Sequence, residues 1–499
     1  MRLFLINFSA LLCGAILTLS FSPIGIASLA FVSLVGFFYL IAQEKTIKKQ
    51  LWLGYCYGVG FFSTSISWVY VSIYAFSQSI FLSISLTTIF ILFLSTFFLI
   101  FGYCFGKLNN KHLSYRLLIL PVCWFLLELL RTYLFTGFPW VLLGYSQTHT
   151  IFSAFAPVGS VFLVGFIVCF MSLCLTEILL NLRHFKTVIS MLLLITLCFI
   201  SALGFRQIKW THSDGIDKTV TIIQGNYIQD QKWDPSMLQT IIDHYYKITR
   251  NNPADLVFWP ENAIPTFKPF IEPFLAQIND LGKNQESAIL VGTVALNHKD
   301  QYFNSAFVYG LGSGYYHKRH LVPFGEYYPF SYFLEPFMAY FNIPMSSFTK
   351  GAKVQPLLNM NGVSIALFIC YEIAYPSEVR AQLQNADLIT VISDDAWFGD
   401  SLAPWQHEEI SQMRAIETGR FVIQATNNGV TSIINPKGQT IVSLPRNKQA
   451  VLKGNIEAIQ GNTPWMKYGL LPILFLSLLF IVITLFIGLK NTIFTSTKI

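Results

Sequence analysis

Apolar residues occur in long runs in two parts of the chain, separated by a polar stretch from about 206 to 466. Seven runs precede this stretch and one follows it: 5–21, 24–42, 51–75, 79–106, 114–135, 151–181, 187–205 and 469–489. The later runs reach the ~20 residues that a membrane-spanning helix needs, and the first two are shorter. The pattern therefore predicts a polytopic α-helical membrane domain of about eight spans, together with one polar domain.

Lysine and arginine fall on alternate connections between these runs. With eight spans, one side of the membrane receives Arg2, Lys45, Lys48, Lys49, Lys107, Lys111, Arg116, Arg183, Lys186, Lys490 and Lys498. The connections 22–25, 76–78 and 136–150 contain neither residue type. Because an excess of Lys and Arg marks the cytoplasmic side, we expect both termini in the cytoplasm and the polar domain outside the cytoplasmic face.

The composition agrees with this division. The chain is 53% hydrophobic and only 12% charged, whereas soluble domains have roughly 25% charged residues. Residues 1–205 carry ten Lys/Arg and three Asp/Glu, while residues 206–466 carry twenty and twenty-three. The formal charge of +7 therefore belongs to the membrane part and its tail, and it does not indicate nucleic-acid binding. We expect a seven-span domain over 1–205, an extracytoplasmic domain over 206–466, and a C-terminal transmembrane helix with its tail over 467–499.

The polar stretch alternates β-rich runs with helical ones. The predicted strands are Val220–Gln224, Leu256–Trp259, Ala288–Val294, Ala306–Tyr309, Val363–Cys370, Leu388–Ser393, Val422–Asn427, Val430–Asn435 and Val451–Ile456. The predicted helices are Ser236–Arg250, Pro269–Gly282, Pro376–Gln384 and Trp405–Gly419. This order is typical of an α/β layered domain around a mixed sheet. The stretch has no Gly-rich phosphate loop, CxxC pair or HExxH motif, so we expect neither a metal nor a cofactor.

Cys370 is the only cysteine outside the apolar runs. It follows the strand-like run Val363–Leu367, within Phe368-Ile369-Cys370-Tyr371-Glu372. Strand ends are where sheet folds place reactive groups, and the other cysteines lie in apolar runs, where a thiol is usually a packing group. By itself the segment is compatible with a nucleophile and equally with a buried structural thiol.

Two further segments place an ionisable residue just past a strand. Glu261 ends Leu256–Glu261, where a carboxylate on a surface turn is the ordinary interpretation, and Lys318 lies in a run that is also compatible with a simple basic loop. Together with Cys370 they make a coherent chemical set. A carboxylate can take the thiol proton, the thiolate can attack a carbonyl carbon, and an ammonium can stabilise the oxyanion.

Trp259-Pro260-Glu261, His317-Lys318 and Cys370-Tyr371-Glu372 occur in an order that resembles the Glu–Lys–Cys triad of the nitrilase (carbon–nitrogen hydrolase) superfamily. The likeness is closer to its membrane-bound branch, the bacterial apolipoprotein N-acyltransferases, and it runs through the whole chain. Supporting stretches are Gln224–Asn226, Lys232–Pro235, His320–Tyr327, Asp395–Asp400, Pro404–His407 and Ala425–Gly429. The resemblance implies a nitrilase-like αββα sandwich for the polar domain.

The resemblance also implies an activity. Cys370 would take an acyl chain from the sn-1 ester of a phospholipid such as phosphatidylethanolamine, forming a thioester. The α-amino group of a diacylglyceryl-modified N-terminal cysteine on an apolipoprotein would then accept that chain. Glu261 would act as the base and Lys318 would hold the oxyanion. By the same resemblance, the protein would be a monomer in the bacterial inner membrane, with its catalytic domain on the periplasmic face.

Four further residues correspond to positions of the family pattern as supporting or substrate-contacting groups: Trp233, Glu326, Tyr371 and Glu372. Their individual roles stay open, because a purely structural role is equally compatible with the pattern. The segment Ser393–Trp397 differs from the expected Asn/Asp-Thr-Trp pattern, so Asp394 and Asp395 receive no role. His407 is interpreted as an ordinary hydrogen-bonded loop histidine.

The stretch from Tyr327 to Phe348 contains nine aromatic residues and a single charge, Glu335. Aromatic side chains favour the membrane interface. We expect this stretch to lie on or dip into the outer face of the membrane and to cover the opening of the site. The alternative is that it only packs between the polar domain and the membrane helices.

Two other functions compete with acyl transfer. A membrane-tethered amidase acting on a soluble substrate would need a polar opening, which the aromatic stretch disfavours. A transporter or lipid-binding protein with an inactive outer domain would carry charges at mid-span, and such charges are scarce here. Both are less compatible with the three ordered motifs.

Overall fold

The computed structural model describes residues 2–109, 113–323, 325–327, 348–383 and 385–496. The chain forms two compact units. The first comprises Met1–Tyr70, Phe81–Lys209 and Lys467–Ile499, and the second comprises Val71–Ile80 and Trp210–Met466. Residues 328–347 lie outside the described residues, so the expected position of the aromatic stretch remains a prediction.

Eight α-helices precede the first strand within the described residues. They are α1 (Arg2–Thr18), α2 (Ser28–Gln43), α3 (Ile47–Ser65), α4 (Trp68–Ser77), α5 (Ile80–Asn109), α6 (Leu113–Tyr133), α7 (Ala156–Leu180) and α8 (Phe185–Gln207). The run 51–75, predicted as one span, is not one continuous helix, because the chain leaves the helical conformation at Ile66 (φ −123°, ψ 22°). The hydroxyls of Thr64 and Ser65 bond back to carbonyls of the preceding turn, a pattern that bends helices.

Five of the described helical segments are long and apolar enough to span a membrane: Ile80–Asn109, Leu113–Thr136, Ile151–Leu180, Phe185–Gln207 and Leu471–Leu489. Phe4–Thr18 and Ser28–Gln43 are apolar but shorter. The prediction of a polytopic helical membrane domain is therefore confirmed, and the number of eight spans stays a prediction.

The second unit contains fourteen strands within the described residues. They are β1 (His212–Gln224), β2 (Leu256–Phe258), β3 (Ile264–Phe267), β4 (Ala288–Leu296), β5 (Tyr302–Gly310), β6 (Gly312–Ser313), β7 (Tyr315–His317), β8 (Leu358–Met360), β9 (Val363–Ile369), β10 (Leu388–Ser393), β11 (Val422–Thr426), β12 (Ser432–Ile434), β13 (Thr440–Ser443) and β14 (Ala450–Gln460). The remaining α-helices are α9 (Gln229–Lys232), α10 (Leu238–Asn251), α11 (Glu272–Asn284), α12 (Pro376–Gln382), α13 (Ala403–Thr418), α14 (Pro464–Tyr468) and α15 (Leu471–Ser496). Helix α15 belongs to the first unit, and it is apolar like most helices of that unit.

The strands form two seven-stranded mixed sheets. The first sheet has the order β14-β1-β2-β4-β5-β7, with β3 also paired to β4, and the second has the order β13-β12-β11-β10-β9-β8-β6. The central pairs β1–β2, β2–β4, β9–β10 and β10–β11 are parallel, and the pairs at the edges are antiparallel. The carboxyl ends of neighbouring parallel strands therefore meet at one edge of each sheet.

Alternate residues of the central strands enter two different cores. Leu256 and Phe258 of β2 belong to the core between the sheets, together with Ile365 and Leu367 of β9. Val257, between them, belongs instead to a second core, which α10 and α11 build on the outer face of the first sheet. Because successive strand side chains point to opposite faces, this alternation produces a layered domain.

Helix α13 packs on β11 of the second sheet. The layers are therefore helix, sheet, sheet, helix, and the predicted αββα fold is confirmed. All nine predicted strands are present; Leu388–Ser393 has the predicted bounds, and the other eight have shifted ends. Strands β3, β6, β7, β8 and β13 were not predicted, because each has no more than four residues and so shows too little alternation.

Candidate active site

The three residues of the predicted triad lie just beyond three strand ends. Glu261 follows β2, Lys318 directly follows β7, and Cys370 directly follows β9. The first two come from one sheet and the third comes from the other. Since the two sheets pack face to face, their loops at this edge converge on one position. The structure thereby brings a carboxylate, an ammonium and a thiol together.

Lys318 lies between two carboxylates. Its Nζ atom is 3.3 Å from Oε1 of Glu261 and 2.9 Å from Oε1 of Glu326. Only 1% of the lysine side chain is exposed to solvent. A buried ammonium with two carboxylate partners is held in one place and stays charged. It can therefore act as a fixed positive charge beside a reacting group.

Asn304 is a second donor that bridges the carboxylates of Glu261 and Glu326. Asn304, on β5, donates through Nδ2 to Oε1 of Glu261 at 2.6 Å and to Oε1 of Glu326 at 2.9 Å. The second oxygen of Glu326 accepts from the backbone N–H of Val322 at 2.8 Å. Lys318 and Asn304 thus hold the two carboxylates together, and Glu326 accepts three hydrogen bonds in all.

Both the carboxylate and the backbone carbonyl of Glu261 are held by hydrogen bonds, from Asp394 and Lys232 respectively. The backbone N–H of Asp394 donates to Oε2 of Glu261 at 2.8 Å. Lys232, which is buried, donates through Nζ to the backbone carbonyl of Glu261 at 3.0 Å and to Oδ2 of Asp394 at 2.5 Å. On β4, a Cβ atom at Gly292 would lie 2.2 Å from the Pro260 carbonyl oxygen. Only glycine allows β4 to approach the turn that carries Glu261.

Cys370 has an unusual backbone conformation. Its φ angle is +55°, in the left-handed region that L-residues seldom occupy. It opens a 3₁₀ turn over Cys370–Ala374, so the predicted strand to Cys370 ends one residue earlier. A strained residue at a sharp strand-to-helix turn projects its side chain clear of the sheet. The sulfur is half-buried and contacts the core between the sheets.

Burial dominates the electrostatics of the site. It raises the pKa of Cys370 well above its usual value of 9.0; Glu261 raises it further, and Lys318 opposes both. The thiol is therefore protonated at neutral pH and needs a base to become a nucleophile. Burial also raises the pKa of Glu261, with Lys318 opposing and Glu326 adding to the rise. A carboxylate whose pKa is raised toward neutrality is a better proton acceptor.

Lys318 shows the opposite balance. Burial alone would lower its pKa, but Glu261, Glu326 and Cys370 together raise it above the usual 10.5. The ammonium keeps its proton over the whole physiological range. It therefore contributes a positive charge to the site and not a base.

Glu372 is a buried connector. One of its oxygens accepts from the backbone N–H of Arg319 at 2.7 Å, and the other accepts from the N–H of Ile369 at 2.7 Å. Tyr316 donates its hydroxyl to the same carboxylate at 3.0 Å. Glu372 is fully buried, so it joins the loop after Lys318 to the turn at Cys370. This arrangement is that of a supporting residue, not of one that contacts substrate.

Trp233 and Tyr371 remain accessible. Trp233 is 45% exposed and donates its indole N–H to Oε1 of Gln229 at 2.9 Å. Tyr371 is half-buried and lies edge-on to Tyr375, with 5.2 Å between the ring centroids. Of the four additional residues, these two are the ones able to contact a substrate.

Sequence reasoning missed three polar residues of the site: Lys232, Asn304 and Asp394. Lys232 lies in the motif Lys232–Pro235, but the predicted site residue in that motif was its exposed neighbour Trp233. Asp394 directly follows β10, a position that could have suggested it. Asn304 lies inside a strand, and nothing in its local sequence indicates that its amide faces two carboxylates.

The class of protein follows from this fold and site. Residues 219–460 match the model of the carbon-nitrogen hydrolase family. Residues 13–174 match the model of the apolipoprotein N-acyltransferase N-terminal domain. A carbon-nitrogen hydrolase from Helicobacter pylori G27 superposes with a TM-score of 0.37 at 16% identity, covering 48% of this chain and 89% of that one. Membership rests on the sequence matches and not on this superposition.

Two relatives specify the family. The chain is 37% identical to the apolipoprotein N-acyltransferase of Coxiella burnetii, over 95% of this chain and 99% of the relative. It is also 37% identical to that of Vibrio parahaemolyticus, over 94% of both chains. The chain therefore belongs to the apolipoprotein N-acyltransferase family, which confirms the resemblance noted in its motifs. It is a bacterial membrane protein.

Proposed function

We propose that this chain moves an acyl group from the sn-1 position of a phospholipid to the N-terminal amine of a diacylglyceryl-modified lipoprotein, through a thioester on Cys370. N-acylation of lipoproteins is the activity of the family to which the chain belongs. One observation supports the assignment of Glu261, Lys318 and Cys370 to this reaction. A buried ammonium, shared by two carboxylates, lies beside a cysteine held at a positive φ angle.

In the first half-reaction, Glu261 removes the proton of the Cys370 thiol as the sulfur attacks the ester carbonyl carbon. Lys318 stabilises the negative charge that develops on the carbonyl oxygen. The carbon–oxygen bond to glycerol then breaks, and Glu261 returns the proton to the leaving oxygen. The products are a lysophospholipid and an acyl-thioester enzyme.

In the second half-reaction, the α-amino group of the acceptor cysteine attacks the thioester carbonyl. Glu261 accepts a proton from the nitrogen, and Lys318 again stabilises the oxyanion. The carbon–sulfur bond breaks, the amide forms, and the sulfur recovers its proton. One carboxylate thus serves as base in both steps.

We further propose a donor of the phosphatidylethanolamine type, a monomeric enzyme in the bacterial inner membrane, and a catalytic unit on the periplasmic face with both termini in the cytoplasm. The distribution of Lys and Arg supports this orientation. Lipoprotein acceptors become available on that face, and a phospholipid donor lies within the same membrane.

The test uses purified full-length protein and a phospholipid with a labelled sn-1 chain, with no acceptor present. We expect label to accumulate on the Cys370 peptide and to be released by hydroxylamine. Cys370→Ala should abolish the adduct. Cys56→Ala, a matched change in α3, should leave it intact. A wild-type protein that never becomes acylated would refute the proposal.

Adding a synthetic diacylglyceryl-cysteine peptide should then discharge the thioester and yield an N-acylated peptide. Release of free fatty acid alone would indicate a hydrolase. A membrane-tethered amidase would instead cleave a soluble amide and leave no phospholipid-derived label on Cys370.

A further inference from the structure

A polar cluster lies beside Cys370, and the mechanism above does not use it. Its members are Ser393, at the end of β10, Asp395, two residues later, and His407 on α13. All three side chains are buried, with no more than 1% exposure. Buried ionisable groups are costly unless they are paired, so this cluster needs a reason.

The three residues form a line of contacts that ends at the backbone of Cys370. The Ser393 hydroxyl donates to Oδ1 of Asp395 at 2.6 Å. The same carboxylate oxygen lies 3.4 Å from Nδ1 of His407. His407 Nε2 lies 3.2 Å from the backbone carbonyl oxygen of Cys370, and a carbonyl can only accept, so Nε2 carries the proton.

A glycine fixes the position of the carboxylate. A Cβ atom at Gly429 would lie 2.0 Å from Oδ2 of Asp395. The backbone after β11 therefore leaves Asp395 little room to move, and the carboxylate stays beside both Ser393 and His407.

We propose that Ser393, Asp395 and His407 are positioning residues that hold the Cys370 main chain at its positive φ angle and aim its sulfur at Glu261. This inference rests on the proposed function, because it assigns a role within that reaction. The direct contact with Cys370 is that of His407 with the backbone carbonyl, and Asp395 and Ser393 act through His407.

The physical reason is the strain at Cys370. A non-glycine residue in the left-handed region is disfavoured and persists only where its surroundings impose it. The hydrogen bond to its carbonyl fixes the peptide plane that follows this residue. Without that bond the turn can relax, and a shift of about 1 Å at a nucleophile lowers its rate about 100-fold.

The experiment measures the attack of Cys370 on p-nitrophenyl butyrate, a soluble ester that needs no lipid site. The thiol displaces p-nitrophenolate, whose absorbance gives a burst. The burst amplitude counts competent enzyme and its rate constant reports positioning. We expect His407→Leu to lower the rate constant about 100-fold with an unchanged amplitude. His407→Gln, which keeps an N–H donor, should stay within about tenfold of wild type.

A matched control is His298→Leu, at an exposed turn, which should behave as wild type. An unchanged rate constant in His407→Leu, or equal losses in His407→Leu and His407→Gln, would overturn the inference. If His407→Leu does not fold, Ser393→Ala removes the hydrogen bond to Asp395 with little change in volume, and its burst rate decides in the same way. Failure of the wild type to be acylated by phospholipid would instead refute the proposed function and leave this measurement unaffected.

Discussion

Single residues of the site are defined more by their neighbours than by their own chemistry. Burial keeps the Cys370 thiol protonated, and two nearby charged residues shift its pKa in opposite directions. Glu261 disfavours the thiolate and Lys318 favours it. The resting thiol is therefore a weak nucleophile, and in the proposed mechanism proton transfer to Glu261 accompanies its attack.

This balance predicts how alkylation of Cys370 by iodoacetamide depends on pH. Because the thiol pKa is raised above 9.0, the rate should rise with pH and show no plateau up to that value. Lys318→Met removes the favourable charge, raises the pKa further and should slow alkylation at a given pH. Glu261→Gln removes the unfavourable charge and should accelerate it. Mass spectrometry of the Cys370 peptide gives the rates.

The opposite signs of the two variants are the critical result. A plateau below pH 9 in the wild type would mean that the thiolate is stabilised in the resting enzyme. Equal effects of Lys318→Met and Glu261→Gln would mean that general disruption, and not charge, controls reactivity.

At the scale of elements, the site depends on connections between loops from different strands. Helix α9 is a single turn of four residues, too short to be stable by itself. Lys232 holds it in place by hydrogen bonds to Glu261, in the turn after β2, and to Asp394, just after β10. The same lysine therefore joins α9, Glu261 and Asp394.

Removing this lysine should destabilise the second unit. Lys232 and Asp394 are 2% and 6% exposed, and breaking a buried pair from one side costs about 3–5 kcal/mol. We expect Lys232→Met to lower the free energy of unfolding by that amount, measured by urea titration in detergent. Lys232→Met combined with Asp394→Asn should recover most of the loss, because no buried charge is left unpaired.

Lys268→Met is the matched control. Its partner Glu272 is 56% exposed, and exposed pairs of this kind contribute about 0.3–0.5 kcal/mol. A loss of similar size at both lysines would show that the Lys232 pair is not a structural connection.

At the scale of the whole molecule, the charge pattern implies a sidedness that can be measured. Lys299 lies in an exposed turn of the second unit, and Lys48 lies near the start of α3. We expect Lys299→Cys to react with a membrane-impermeant maleimide in cells whose outer membrane has been opened. Lys48→Cys should react only after lysis. Labelling of both, or of Lys48→Cys alone, would contradict the proposed orientation.

Periodicity predicted the fold well, because its signals are local. Long apolar runs must be helical in a membrane, and short, nearly continuous apolar runs such as Val363–Cys370 suit strands buried on both faces. It failed where a local signal is weak. The break between α3 and α4 occurs within an apolar run, and β6 has two residues.

The candidate site was predictable in part for a similar reason. Glu261, Lys318 and Cys370 each follow a strand, and topology brings such ends together. Asn304 and Lys232 carry no such signal, because an amide inside a strand and a lysine in a polar turn are ordinary features of a sequence. Only their distances to Glu261 give them a role.

The sequence by itself determined the membrane class and the layered domain, since both depend on residue type and spacing along the chain. The candidate triad Glu261, Lys318 and Cys370 came from the resemblance of its motifs to a known family. The tertiary structure alone decided which polar groups surround those residues. It showed that Glu372 is a buried connector, that Trp233 is exposed, and that His407 lies within hydrogen-bonding distance of the Cys370 carbonyl. The reason is that burial and pairing depend on contacts between segments far apart in the chain, and no local pattern records them.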